Sequence, residues 1–231
     1  MATQAEEIED RRPPLSRDRV LRAAIDLADA GGIEALSMRR LAQELGVEAM
    51  SLYYHVANKG DILDGIVDMV VGEFELPPAD AEWKSAIRTT AISAHEILVR
   101  HPWSANLVLS GSGVSTARLR YMDAILGTLR QAGLSAEMTD HAYHALDSHI
   151  MGFTLWQVGM NLGTEEDLKD MAGQFLAQLS VAEFPYLAEH IEQHLKPSDP
   201  ENVGEFEFGL GLILDGLERL LPTSSVPGSG R

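Results

Sequence analysis

The sequence predicts an all-α protein with a small N-terminal helix-turn-helix head on a larger helical body, and three observations carry that expectation. Every long segment has apolar residues at helical spacing, and no alternating apolar–polar run is long enough for a sheet. Glycines and prolines fall between those segments, at Gly31-Gly32, Gly46, Pro77-Pro78 and Gly133. Charge is unevenly divided: residues 11–60 hold eight basic and six acidic residues, a net +2, whereas the rest holds 10 basic and 29 acidic residues, a net −19. An asymmetry of this kind assigns the head a different partner from the body.

Residues 1–14 are polar and end in Pro13-Pro14, the composition of a flexible arm. Ser16 is placed to cap the first helix, with Asp18 in its first turn. Val20, Ala24, Leu27, Ala28 and Gly31 then share one face. Ser37 caps a second helix with inner residues Met38, Leu41, Ala42 and Leu45, ended by Gly46. A short third helix is expected over about 48–54. Asn58 caps a fourth, with Asp61 in the capping-box position, that runs to Pro77-Pro78. The body is expected to hold helices over about 83–100, a short one opened by Pro102 and containing Trp103, then 115–132, 135–162, 164–180, 184–194 and 204–221. A Gly/Ser loop occupies 110–113, another loop 196–200, and residues 222–231 read as a flexible tail. The division is therefore an arm at 1–14, a head at 15–60, a body at 61–221 and a tail.

Composition excludes several functions. The 231 residues contain no cysteine, which rules out disulfides, zinc-finger ligation and a thiol nucleophile. No apolar stretch reaches 18 residues and the N-terminus lacks a signal-peptide pattern, so a cytoplasmic protein without a membrane partner is expected. There is no Gly-rich phosphate loop, GxSxG elbow or HExxH pair, so no enzyme and no cofactor is expected. His141 and His144, and His190 and His194, have spacings that could hold a metal, but surface histidines on helices are far commoner and no metal site is assigned.

The function lies in residues 37–56, SMRRLAQELGVEAMSLYYHV. Two short helices joined at Gly46, with small Ala42 four residues earlier, match what a helix-turn-helix requires. Leu41, Leu45, Val47 and Leu52 can pack underneath. Glu48, Ala49, Ser51, Tyr53, Tyr54 and His55 are left for the exposed face and flank. Small residues allow approach to base edges, and the tyrosines and His55 can reach phosphates or bases. Arg39 and Arg40 lie on the backbone side, and Lys59 beside the Asn58 cap makes a phosphate site.

This segment resembles the N-terminal domain of the tetracycline-repressor family of transcription regulators, above all in LGVEAMSLYYHVANK, Leu45 to Lys59. The helix beginning near Ser16, the SMRRLAQELG helix and the Asn58-Lys59 cap match together. Trp83 to Arg100 and the Phe206 to Leu210 segment resemble the body of that subgroup. The resemblance implies a repressor that binds a palindromic double-stranded operator as a homodimer and is released by a small apolar or amphipathic effector. It carries DNA contact to Met38, Arg39, Ala49, Met50, Ser51, Tyr53, Tyr54, His55 and Lys59. Ala49 and Met50 replace the glutamine and proline of the tetracycline repressors, so a different operator is expected. Thr90 and Ala94 replace an asparagine and a phenylalanine that meet tetracycline, so a different ligand is expected.

Large adaptable residues, Trp103, Met122, Met151, Phe153, Trp156 and Met160, suit an apolar cavity, although such a stripe is more often plain core. Effector contact is expected at Thr90, Ala94, Trp103, Met122, Asp147, Met151, Phe153 and Trp156. The resemblance implies a four-helix dimer interface built from the 135–162 and 204–221 helices of both chains, where the glycine spacing by itself leaves a close contact within the subunit open. It would use Phe153, Met160, Phe206, Gly209, Leu210, Ile213, Gly216 and Leu217, since two glycines on one helix face suggest a close contact. The alternative is a helical small-molecule-binding protein or enzyme with a degenerate head, which would keep its ligand after loss of residues 1–74.

Overall fold

The computed structural model describes residues 14–78, 80–110, 115–160, 165–196 and 203–221. Residues 1–13 of the arm, the glycines of the 110–113 loop, residues 197–200 and the tail lie outside them. Among the described residues the elements are all helical. The head comprises α1 (Arg17–Gly31), a 3-10 turn at Ile33–Ala35, α2 (Met38–Leu45) and α3 (Ala49–Leu52). Then follow α4 (Lys59–Gly72), α5 (Trp83–Arg100), α6 (Ser104–Ser110), α7 (Thr116–Gln131) and α8 (Ala136–Gly159). The last three are α9 (Glu165–Gln178), α10 (Pro185–His194) and α11 (Glu205–Glu218). None of the described helices is long and apolar enough to cross a membrane.

Local chemistry sets the helix starts. Ser16, Ser37, Asn58, Ser115 and Ser135 each accept a hydrogen bond from the backbone N–H three residues on. Each cap satisfies one of the orphan donors of a first turn, worth about 1 kcal/mol. Gly46 sits at φ 67°, ψ 36°, the left-handed conformation that lets the chain turn sharply from α2 into α3. Three expected boundaries move. Trp103 precedes α6 instead of lying in it, because His101–Trp103 form a turn in which Ser104 N–H bonds back to His101. The prolines at 77–78 do not end α4, which closes at Gly72 in a turn through Glu73 and Phe74. The third helix is one turn, continued through Tyr53–His55 by tighter i to i+3 bonds.

Helix α4 joins the two parts, packing on α1 at one end and on α7, α5 and α6 along its length. Ile62, Ile66 and Val70 are fully buried on it. Its Gly65 lets α1 come close, since a Cβ there would sit 2.7 Å from a Leu21 methyl. In the body α5 packs on α8 and α11, with Ile87, Leu98, Leu146, Ile150, Leu210 and Leu214 fully buried between helices. At about 1.5–3 kcal/mol for each such side chain, this shared core holds the assembly together. It runs without a break from Val20 of the head to Leu217 of the body.

Candidate nucleic-acid interface and effector cavities

Leu41 and Leu45 of α2, which packs on α1, and Leu52 and Val56 are buried and anchor the turn of the helix-turn-helix. That fixes what points outward. Met50 is 73% exposed and Tyr54 88% exposed, with Tyr53, Glu48, Arg39, Arg40 and Lys59 also exposed. Ala49, Ser51, His55 and Met38 are half-buried. All eleven residues expected to face DNA therefore have side chains reaching the surface of one small unit. Met50, Tyr53 and Tyr54 are large side chains left bare to solvent together on this unit.

One ion pair positions that face, and sequence spacing did not reveal it. Arg17 holds Asp61 in a two-pronged contact, at 2.9 Å and 2.6 Å, and also donates to the His55 carbonyl at 3.2 Å. Asp61 further accepts from Ala57 N–H at 2.8 Å, while its own N–H caps onto Asn58. The capping box expected at Asn58 is thus shifted by one residue. The Arg17 guanidinium, helped by the Ala57 amide, holds the Asp61 carboxyl down at about 2. The starts of α1 and α4 and the end of the recognition segment are tied together here.

A second polar cluster ties head to body. Asp29 of α1 accepts from His101 Nδ1 at 2.8 Å and from Trp103 Nε1 at 2.7 Å. His101 and Trp103 are both buried, in the turn between α5 and α6. Trp103, expected to meet effector, therefore carries a head–body contact through its ring nitrogen.

The other expected effector residues are scattered. Thr90, Ala94 and Met151 are buried, and the Thr90 hydroxyl has no hydrogen-bond partner among the described residues. Met122 is half-buried against the core. Burial raises the Asp147 carboxyl above its usual range, against the pull of Arg118 and His144. Phe153 and Trp156 line a cavity of about 460 Å³ between α5, α8 and the start of α11. A second cavity, about 500 Å³, opens beside α4, between its Gly60–Asp68 stretch, the end of α6 at Leu107–Ser110 and the start of α7 at Ser115–Arg118. His144 lies 3.6 Å from Asp140 on an exposed face, and the His194 side chain is outside the described residues.

The apolar face expected for a dimer turns inward in part. Phe206, Leu210 and Leu217 are buried within the subunit, and Gly209 faces His149, where a Cβ would sit 2.5 Å from the ring. Ile213 and Phe153 are half-buried against the same core. These residues already have partners within their own chain. Phe208 and Leu212 are the exposed apolar residues of α11, followed by Leu220 in the turn just past it, with Gly216 open beside them and Met160 exposed at the end of α8.

A helix-turn-helix head with an outward recognition face, locked to an all-helical body with cavities, defines a DNA-binding regulator. The comparisons agree. Residues 20–66 match the model of bacterial regulatory proteins of the tetR family, and residues 76–221 match the tetracycline repressor-like C-terminal domain. The chain belongs to the tetracycline-repressor family and is a transcriptional regulator, not an enzyme. The HTH-type transcriptional repressor DrrR1 of Streptomyces coeruleorubidus is 32% identical over 91% of this chain and 80% of its own length. The Streptomyces coelicolor family member ActR, solved with actinorhodin, superposes with a TM-score of 0.74 at 29% identity, covering 91% of this chain and all of that one. BioQ, solved with its double-stranded DNA operator, does so at 0.62 and 26% identity, covering 88% and 98%.

Proposed function

We propose that this chain is a ligand-responsive repressor that binds a two-fold symmetric operator as a homodimer and changes its hold on DNA when a small molecule enters its body. It works on DNA in the cytoplasm. The observation that carries the reading is the outward face of Met50, Tyr53 and Tyr54, flanked by Arg39, Arg40 and Lys59 and rigidly seated by buried Leu52. Base edges meet Ala49, Met50 and Ser51, while the tyrosines, arginines and Lys59 take phosphates. The dimer forms through α8 and α11, with Phe208, Leu212, Leu220 and Met160 supplying the contact in place of the inward-facing residues of the same helices.

Ligand response requires unequal affinity for two states of the protein. ActR was solved with a small molecule and DrrR1 is named a repressor, which favours ligand-controlled repression here too. The route runs along α4, from the phosphate-side Lys59 to the body, and through the Asp29 contact with His101 and Trp103. A tilt of α4 alters the spacing of two recognition segments, and a coupling of about 1–3 kcal/mol is typical of such linkage. The test is a gel shift on the DNA flanking the chain's own gene, with wild type, Arg39→Ala and Lys59→Ala, with and without extract from the host. Wild type should shift that DNA, both variants should weaken the shift, and extract should alter it. A wild-type protein with no preference for that or any genomically selected DNA would refute the reading.

A further inference from the structure

The cavity between α5, α8 and α11 has a composition that selects a ligand class. Its walls are flat rings. His95 of α5 stacks on Phe206 of α11 at 4.0 Å and 10°, and Phe153 of α8 stands edge-on to both at 5.6 Å. Trp156 lies 5.5 Å from Phe153 and is 45% exposed, so part of its indole is bare. The rim is acidic: Glu96, Glu205 and Glu207 line it, and none has an ion-pair partner among the described residues. Among the described residues no lysine or arginine lines the cavity. The free amides at the start of α11 contribute only about half a positive charge, against three carboxylates.

His95 adds to this polarity. The Thr154 hydroxyl gives its one proton to the Ile150 carbonyl at 2.7 Å. Its oxygen, 2.8 Å from His95 Nδ1, must therefore accept, so Nδ1 carries the proton and Nε2 keeps a lone pair. Burial, with His149 nearby, depresses the ring to about 4, which leaves it uncharged at neutral pH. With Nδ1 spent on Thr154 and the ring also hydrogen-bonded to the Gln157 side chain, the polar groups left to face a ligand are mainly the acceptor carboxylates of Glu96, Glu205 and Glu207.

We infer that this cavity is a binding site for a flat aromatic cation, with the ring against Trp156 and Phe153 and the positive charge at the Glu96–Glu205–Glu207 rim. Its effect on repression rests on the ligand-responsive reading above; the binding itself does not. A volume of about 460 Å³ suits a drug-sized molecule. A cation over an indole face gains from the ring quadrupole, and the carboxylates repel an anion of the same shape.

The test uses the full chain without DNA in titration calorimetry, with N-methylacridinium as the probe and 2-anthracenesulfonate as its anionic counterpart. The cation should bind once per chain and at least about tenfold more tightly than the sulfonate. Trp156→Ala should weaken cation binding about tenfold, and the triple Glu96→Gln, Glu205→Gln, Glu207→Gln variant should erase the preference for positive charge. All four side chains reach solvent, and an unchanged melting transition checks that the variants fold. Sulfonate binding as tight as the cation, cation binding indifferent to both variants, or a dimer structure with the cavity filled by the second subunit would overturn the inference. Ligand-controlled repression fails separately, if no host extract alters the operator gel shift.

Discussion

Removing the Asp29 carboxylate should weaken the joint between head and body by a definable amount. Asp29→Ala takes the acceptor from two donors, His101 Nδ1 and Trp103 Nε1. Each buried donor left unpaired costs about 1–3 kcal/mol. The Asp29 side chain is 33% exposed, so water can enter the gap and recover part of that, leaving about 2–3 kcal/mol. In a protein of this size the melting temperature should fall by about 5–10 °C. Asp29→Asn keeps one carbonyl acceptor and should lose about half as much. Trp103→Phe removes the indole donor, so adding it to Asp29→Ala should cost less than the sum of the two. The assay is thermal unfolding of the four variants, analysed as a double-mutant cycle. A loss in Asp29→Ala below about 0.5 kcal/mol, or strict additivity with Trp103→Phe, would refute the reasoning.

Other expectations follow from single features. Lys59→Ala should weaken binding to all DNA sequences alike and reduce the salt slope by about 1, whereas enlarging Ser51 should change the preferred bases; anisotropy titrations over a salt series separate the two. His95 is depressed from 6.5 to about 4, so the unfolded chain binds the extra proton between those values and stability falls as pH drops through that window. His95→Gln should flatten that limb by about 1–2 kcal/mol in denaturant titrations, while the Asp61 contribution, discounted for exposure to about 1 kcal/mol, is lost only from about pH 4 towards 2. Gly209→Ala should destabilise by about 1–3 kcal/mol because its Cβ meets the His149 ring. Gly216→Ala meets nothing within the subunit and should gain helix stability while weakening the dimer, as read by melting and sedimentation.

Much of the fold was legible because its signals are local. Ser16, Ser37 and Asn58 announce helix starts through side chains three residues from the amides they satisfy. Gly46 marks its turn, and the apolar spacing of Leu41, Leu45 and Leu52 tells inside from outside in a strongly two-faced head. Helix α11 defeated the same method. It is apolar nearly all round, so periodicity could not tell that Phe206, Leu210 and Leu217 face inward while Phe208, Leu212 and Leu220 face out. The Arg17–Asp61 and Asp29–His101–Trp103 contacts join residues 44 to 74 positions apart, and no local pattern encodes such pairs. The acidic cavity escaped notice for the same reason, since Glu96 and Glu207 meet only when α5 and α11 pack.

Repression as proposed requires two copies of the Ala49–His55 face to read one symmetric site. Hydroxyl-radical footprinting on the genomically selected operator tests it, together with a variant operator carrying half a turn of inserted DNA between its half-sites. Two related protected patches should appear on one side of the duplex, about one or more turns of roughly 34 Å apart, and tight binding should be lost on the insertion. A single asymmetric patch, or affinity unchanged by the insertion, would contradict it.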